Sequence, residues 1–331
     1  MNAYARYVSR RFLLLLATVF IAMTVVFLVP RLVPGEPMAA IFANMASVGG
    51  SMNAQAMIAE YRTRFGLDEP LWVQYLSFWR ELLQGNLGIS TRYNESVWDM
   101  IRERMPVSIF YGLVTFIISY LVCIPLGILK AIKHRTVIDN VSSILIFVGY
   151  AIPGFVLASV LVVYLAARLG WFPTGGFVSE DFASFTLAGK AWDVMHHAVL
   201  PLVCYMVGSF AFMTMLVKNN LMDNLAADYV RTAVAKGAGF KRAVLGHALR
   251  NSLIPLATTL GHVVSIFVAG STLIELIFEI NGFGLLGYYS VLDRDYPLVM
   301  GILVIQVVLL MVGNILSDFF VALTDPRIRF E

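Results

Sequence analysis

The stretch ADYVRTAVAKGAGFKRAVLGHALRNSLIP, residues 227–255, places a basic segment in the middle of an otherwise apolar chain. Of the 331 residues, 59% are hydrophobic and 14% are charged, whereas a soluble domain is about a quarter charged. We therefore expect an all-α integral membrane protein whose basic stretch lies in a loop outside the membrane. The cations of this loop are Arg231, Lys236, Lys241, Arg242, His247 when protonated, and Arg250.

Six segments are long and apolar enough to cross a membrane as helices, which takes about 20 residues. They are Phe12–Val29, Val107–Leu129, Val141–Ala167, Val199–Val217, Leu253–Phe278 and Leu298–Leu323. The first segment follows Arg6, Arg10 and Arg11, as the core of a signal peptide would, but no small-residue cleavage site follows it. We therefore predict an uncleaved first span and six transmembrane helices in all.

The distribution of positive charge predicts the orientation in the membrane. With six spans, the side that holds both termini also holds residues 130–135 and 218–250, and it carries 14 of the 24 Lys and Arg residues. Because Lys and Arg accumulate in short cytoplasmic loops, both termini and the basic stretch are predicted to be cytoplasmic. The net charge of +3 is too small to indicate nucleic acid as a partner.

The chain divides into three predicted parts. Residues 1–30 form a tail and the first transmembrane helix, residues 31–106 form a helical extracytoplasmic lobe, and residues 107–331 form the transmembrane core. In the lobe, a helical face is expected to carry Leu71, Tyr75, Phe78, Trp79, Leu82 and Leu83. This face either rests on the membrane or the helix bundle, or docks a soluble partner, and the residues leave both interpretations open.

The basic loop, at about residues 218–252, is predicted to form a short helix, a hinge and a second helix that leads into the fifth span. Asp228 near the start of the first helix suits the helix dipole, and Gly237-Ala238-Gly239 then turns the chain. One face of the second helix is expected to carry Val244, Leu245, Ala248, Leu249 and Ser252. This arrangement fits a lever that contacts a cytoplasmic partner. It also fits a solvated loop that only enforces topology, or a site for anionic lipid.

No catalytic site, metal site or bound cofactor is predicted, because the chain lacks the phosphate-loop, H-E-x-x-H and G-x-S-x-G patterns. Uphill transport would therefore need another subunit to hydrolyse nucleotide. Ionisable residues within spans or at their ends are functional candidates by default, here His262, Glu275, Glu279 and Asp318, although each also suits a structural role. Tyr150 and Pro153 in GYAIPGF form either a gate hinge or a packing kink.

The pattern DYVRTAVAKG…HALRNSLIP resembles the EAA loop of binding-protein-dependent ABC importers, in the form used by the dipeptide/oligopeptide/nickel permease family. Arg231 stands where the general EAA pattern begins with Glu. Further strings follow the family's order along the whole chain: Val33–Pro37, Phe65–Tyr75, Gly85–Ser90, Ile124–Ala131, Gly170–Gly176, Arg294–Gly301 and Asp325–Glu331. Within the family, the chain looks most like the first permease subunit of the Yej-type branch, which is linked to larger peptides and peptide-like compounds.

This resemblance implies a permease subunit of the bacterial inner membrane that works by alternating access. The implied partners are a second homologous permease, two cytoplasmic ATPase domains that use ATP and Mg, an extracytoplasmic binding protein, and membrane lipid. The residues that match the coupling helix, which seats in the ATPase, are Asp228, Tyr229, Val230, Arg231, Thr232, Ala233, Ala235, Lys236 and Gly237. Candidate gate or pore residues are Tyr150, Pro153, His262 and Glu275.

The resemblance implies oligopeptides or peptide-like compounds as the substrate, with dipeptides or nickel as alternatives. Two hypotheses come from other classes of protein. One is a passive channel. The other is an intramembrane enzyme that uses His262 with Glu275 or Asp318 and needs no ATPase partner.

Overall fold

The computed structural model describes residues 3–32, 68–256 and 272–324. Across these ranges the chain is helical without a named strand, and an isolated antiparallel bridge joins Ile89 to Ser96. The helices are α1 (Ala3–Leu32), α2 (Leu71–Leu83), α3 (Val97–Ile132), α4 (Val137–Ala151), α5 (Gly154–Leu161, continued by the π-helix Val162–Arg168), α6 (Leu187–Ala226), α7 (Asp228–Ala235), α8 (Phe240–Arg242, the π-helix Ala243–Ala248, and Leu249–Ser252), α9 (Thr272–Ile277), α10 (Phe283–Leu292) and α11 (Tyr296–Thr324).

Several of these helices match predicted membrane spans. Helices α3, α6 and the Tyr296–Phe319 part of α11 are long and apolar enough to cross a membrane, and α4 with α5 forms a further candidate that is bent by 91°. The Leu13–Val29 part of α1 is a shorter apolar helix. Most of the fifth predicted span, including His262, lies outside the described residues. An all-helical membrane protein is therefore confirmed for the described ranges, and the count of six spans stays a prediction.

The helices extend well beyond the predicted apolar segments. Helix α3 begins at Val97 rather than Val107, and α6 runs from Leu187 to Ala226 rather than over Val199–Val217. Hydropathy marks only the part of a helix that can lie in hydrocarbon, whereas backbone hydrogen bonding continues into the polar flanks. The polar ends of α3 and α6 therefore carry groups that hydropathy alone does not place on a helix.

The chain divides into two compact units, and the first contains residues 105–285 together with both ends of the chain. In this unit α6 packs against α3, α4 and α5 at three glycines. A Cβ on Gly127 of α3 would lie 2.9 Å from the carbonyl oxygen of Thr214, and a Cβ on Gly154 of α5 would lie 2.7 Å from that of Cys204. A Cβ on Gly149 of α4 would lie 3.2 Å from a methyl of Val207. Small residues at such crossings let membrane helices approach closely.

The second unit contains residues 8–104 and 286–308, and in it the apolar face of α2 packs on α1. Trp79 stacks on Phe20 with ring centroids 5.5 Å apart, and the Tyr75 hydroxyl lies 2.7 Å from the Thr24 hydroxyl. Leu71 and Leu83, at the ends of the predicted face, are exposed instead. Most of the α2 face is therefore occupied by the bundle, which favours the first of the two interpretations of this face.

In the same unit, Asp295 holds the loop between α2 and α3. Its carboxylate accepts hydrogen bonds from the Ser90 hydroxyl at 2.5 Å, from the backbone N–H groups of Thr91 at 3.2 Å and Arg92 at 3.3 Å, and from the N–H of Leu298 at 3.3 Å. Asp295 is fully buried. On the exposed side of this loop, burial and then the neighbouring Asp293 carboxylate raise the pKa of Tyr93.

Candidate functional site

The predicted coupling segment folds as the short helix α7, which ends in a glycine cap. The Ala238 N–H donates to the Ala233 carbonyl at 3.0 Å, and the Gly237 N–H donates to the Val234 carbonyl at 2.9 Å. This pair of bonds is the Schellman motif, which requires a left-handed residue after the helix. Gly237 supplies that residue with φ +90°. The predicted hinge is therefore a defined turn that fixes the direction in which the chain leaves α7.

Helix α7 is attached to the rest of its unit through one buried side chain. Val230 is 4% exposed and packs in a cluster with Ala131 of α3, Leu221 of α6 and Ala243, Val244 and Ala248 of α8. At the start of α7, the Tyr229 hydroxyl donates to the Asn224 side-chain oxygen at 2.5 Å. The segment is therefore seated where the ends of three longer helices meet, so its position depends on all three.

The outer surface of α7 is largely exposed and is chemically mixed. Asp228 and Arg231 lie 3.7 Å apart on it, with most of each side chain exposed. The other predicted coupling residues lie on the same helix and its cap: Tyr229, Thr232, Ala235, Lys236 and Gly237 are exposed, and Ala233 is half-buried. Val234, which the sequence-based set omits, is 51% exposed and adds an apolar side chain to this surface. Helical spacing places Val234 on the same face as Val230, so the sequence gives no signal of its exposure.

Helix α8 differs from its predicted form at one position. Val244, Ala248 and Ser252 are buried and Leu249 is partly buried, as predicted, but Leu245 is exposed. Ala243–Ala248 is a π-helix, whose wider turn changes the angular positions that an α-helical spacing assigns. Phe240 and Leu245 are therefore exposed on α8, where they line a shallow depression of about 680 Å³ together with Lys241 and Arg242.

The GYAIPGF motif forms a sharp bend. Helix α4 ends at Ala151, Ile152 and Pro153 are extended, and α5 begins at Gly154. Tyr150 is exposed on the last turn of α4. A proline cannot continue a helix from the preceding turn, and the close approach of Gly154 to α6 leaves no room for a side chain. The motif is therefore a true break between two helices that both pack on α6.

Glu275 lies in α9 and is 1% exposed, beneath the loop that leads into α10. Its carboxylate accepts a hydrogen bond from the Leu285 N–H at 2.6 Å and longer ones from the Ser108 and Tyr205 hydroxyls, at 3.5 and 3.4 Å. Ser108 in turn accepts from the Phe283 N–H at 2.8 Å. The geometry therefore places Glu275 and Ser108 against the first turn of α10, which they hold through the backbone N–H groups of Leu285 and Phe283.

The remaining candidates are dispersed. Glu279, one turn after Glu275 in sequence, lies beyond the end of α9 in a left-handed conformation with φ +51° and points outward. Asp318 is half-buried on α11. His262 lies outside the described residues. Sequence reasoning missed Ser108 and Tyr205, whose only signal is a hydroxyl within an apolar helix.

With this geometry established, comparisons with known proteins identify the chain's relatives. Residues 123–330 match the family described as "Binding-protein-dependent transport system inner membrane component", and residues 4–111 match its N-terminal companion family. The chain belongs to this family. The resemblance found in the EAA-type loop is thereby confirmed, and the chain is a permease subunit of an ABC importer, a multi-pass protein of the bacterial inner membrane.

Individual relatives are similar over their whole length. The chain is 36% identical to the inner membrane ABC transporter permease protein YejB of Escherichia coli O157:H7, an alignment that covers 98% of this chain and 99% of the relative. It is 35% identical to the peptidoglycan transport system permease protein YejB of Agrobacterium fabrum, with 98% of each covered. It is 34% identical to the oligopeptide transport system permease protein AppB of Bacillus subtilis, with 98% and 100% covered. These relatives are permease components, and none is named as an ATPase.

Proposed function

We propose that this chain forms one half of the pathway of an importer for oligopeptides or peptide-like compounds. The observation that carries the proposal is the predicted coupling segment: α7 is anchored by Val230, closed by the Gly237 cap, and exposes most of its remaining surface. Such a helix can transmit a push only if something grips its outer surface, since its own contacts to the unit are few. A cytoplasmic ATPase domain is the partner that fits a family of ATP-driven importers.

The complete importer then contains a second homologous permease, two ATPase domains that use ATP and Mg, and an extracytoplasmic binding protein. In this proposal the chain crosses the membrane six times with both termini in the cytoplasm, and residues 31–106 form the extracytoplasmic lobe. ATP-driven closure of the ATPases moves α7 and converts the permease pair between inward-facing and outward-facing states. Tyr150, Pro153, Glu275 and His262 are the proposed gate or pore residues.

The substrate class rests on the names of the relatives. One relative is named for oligopeptides and one for peptidoglycan, whose fragments are peptide-like, and a further relative from Lactococcus lactis, 31% identical, is named for dipeptides. Peptides with more than two residues are therefore the first compounds to test. Dipeptides and nickel are the alternative substrates of the same type of permease.

The experiment begins with purification of the tagged chain from detergent-solubilised membranes and identification of the proteins that co-purify. We expect a second permease and ATPase subunits. The complex is then placed in liposomes with its binding protein, and uptake of peptides of two to ten residues and of Ni²⁺ is measured with and without ATP. ATP-dependent uptake of the longer peptides supports the proposal. Uptake without ATP indicates a channel, and recovery of the chain alone contradicts the importer assembly.

A further inference from the structure

A buried cluster of charges joins three helices at a place that the coupling segment and the bend do not include. Asp139 in the first turn of α4 lies between Lys130 near the end of α3 and Lys218 of α6. All three residues are buried, Lys130 completely. From the sequence, Lys130 and Lys218 count only as cytoplasmic positive charge, whereas the structure turns both side chains toward one carboxylate.

Every hydrogen-bonding group of the cluster has a partner. The Lys218 ammonium donates to both Asp139 carboxylate oxygens, at 2.7 and 2.8 Å. The Lys130 ammonium donates to the Asp139 carbonyl at 2.9 Å, to the Ser142 hydroxyl at 2.9 Å and to the Ser143 hydroxyl at 2.6 Å, which uses its three protons. It also lies 3.1 Å from the Asp139 carboxylate.

The same carboxylate holds the short connection between α3 and α4. It accepts a hydrogen bond from the Arg135 N–H at 3.1 Å, and the His134 ring nitrogen Nδ1 lies 3.3 Å from it. Arg135 has a left-handed backbone with φ +61°, which the turn requires. The cluster therefore fixes the end of α3, the start of α4 and the last third of α6 in one register.

Stability alone does not explain such a cluster. Replacing buried ion pairs by apolar residues of similar volume is often neutral or stabilising, and the best-attested use of buried charge is to specify one register. An apolar contact would let the three helices slide past one another by small steps. A shift in register would pull the two ammonium groups away from the carboxylate, and a buried charge without its partner is costly.

The position of the cluster links the coupling segment to the bend. Lys218 lies eight residues, or about 12 Å, before the end of α6, and α7 begins two residues after that end. Next to the charged residues, Ala131 and Leu221 belong to the same buried apolar cluster as Val230 of α7. In the other direction, Asp139 lies on the helix that ends at the Ile152–Pro153 break.

We propose that Lys130, Asp139 and Lys218 make α3, α4 and α6 move as one body with α7, so that displacement of the coupling segment reaches the α4–α5 bend. The three are positioning residues, and the inference rests on the proposed function of α7. If the cluster is weakened, the ATPases still hydrolyse ATP, but less of their movement reaches the pathway.

Lys218→Met is the variant of choice. It leaves the Lys130–Asp139 pair intact and lowers the buried net charge from +1 to zero, so that no unpaired charge is created. Lys218→Arg restores a cation that can bind the carboxylate with two bonds. Lys133→Met is the matched control, because Lys133 is exposed in the same connection and belongs to no ion pair within the described part of the chain.

The measurement is the amount of peptide imported per ATP hydrolysed by the complete importer in liposomes, with a peptide library of two to ten residues as the probe. Basal ATP hydrolysis without binding protein reports assembly. We expect Lys218→Met to keep basal hydrolysis and to lower the import per ATP at least about fivefold, the lower end of typical coupling effects. Lys218→Arg should recover most of the import, and Lys133→Met should match the wild type.

Two results overturn the inference alone: an unchanged import per ATP in Lys218→Met, or a loss of basal hydrolysis in both Lys218 variants, which would make the cluster an assembly feature only. An absence of ATP-driven import by the wild-type complex would instead defeat the proposed function and this inference with it.

Discussion

Gly237→Ala tests whether the glycine cap of α7 is needed to keep the predicted coupling segment folded and peptide import active. A Cβ at Gly237 would meet no atom within 4 Å, so the substitution creates no clash. The backbone there has φ +90°, which glycine adopts easily and alanine does not. Gly239 is the matched control: a Cβ there also meets no atom within 4 Å, but its φ of −63° suits any residue.

The expected loss of α7 stability in Gly237→Ala follows from the backbone conformation alone. A left-handed conformation costs a residue with a side chain about 1–2 kcal/mol. Helix α7 has eight residues and is held by one buried side chain, so it has little stability of its own to offset this cost. A change of that size lowers the ratio of folded to locally unfolded α7 about 5–30-fold, with little effect on the stability of the long helices.

Limited trypsin digestion of the purified chain measures this opening, because Arg231 and Lys236 are cleavage sites that helical structure protects. We expect Gly237→Ala to raise the cleavage rate about 5–30-fold and to lower peptide import by the complete complex. Gly239→Ala should behave as the wild type. Gly237→Asp should be at least as severe in import, since it also adds a negative charge at the unfavourable end of the helix. Equal cleavage and equal import in the two alanine variants would refute the argument.

Val230→Ala removes two buried methyl groups, which contribute about 0.8 kcal/mol each, and we expect it to raise the rate of trypsin cleavage in α7 about tenfold. Val234→Ala, on the exposed side of α7, should leave the cleavage rate unchanged but weaken co-purification of the ATPases. Gly282→Ala should lower the free energy of unfolding in detergent by about 1–3 kcal/mol, because its Cβ would lie 2.5 Å from the Glu275 carboxyl carbon. The same change at Gly208, where a Cβ meets nothing within 4 Å, is the control, and equal denaturation midpoints would disprove the contact. Asp295→Ala should release the loop after α2, because hydrogen bonds to a charged acceptor contribute about 1.5–3 kcal/mol. The release is measured as new trypsin cleavage after Arg92. If Arg92 stays protected from trypsin, other contacts hold the loop.

Local sequence signals predicted the helices and turns of the basic loop, but not which face of α8 each residue occupies. The spacing of Asp228, Gly237 and Gly239 predicted a helix, a turn and a second helix, and each is present because these signals act over one or two turns of chain. Leu245 was placed on the wrong face, because a π-helix depends on how the whole segment packs and leaves no trace in apolar spacing.

For the buried ionisable residues, too, the sequence shows which residue types are present, whereas only the structure shows their partners. Glu275 was a candidate because an acid in an apolar helix is conspicuous in sequence, but its partners come from α3, α6 and the first turn of α10. Lys130 and Lys218 were not candidates at all, since a lysine near the end of an apolar segment has the same sequence pattern whether it faces water or a buried carboxylate. Their distance of 88 residues along the chain is bridged only by the packing of α3 and α4 on α6.

By itself, the sequence determined that this is a helical membrane protein and which family it belongs to, and it predicted which residues form the coupling segment. Composition, apolar run length and local turn signals are properties of neighbouring residues, and they are legible without a fold. Only the tertiary structure decided that Val230 anchors α7, that the α4–α5 break reaches 91°, and that Asp139 gathers two lysines. These features arise where helices distant in sequence pack together and exclude water. A valine or lysine side chain makes a specific contact there because it is buried, and the sequence does not show that burial.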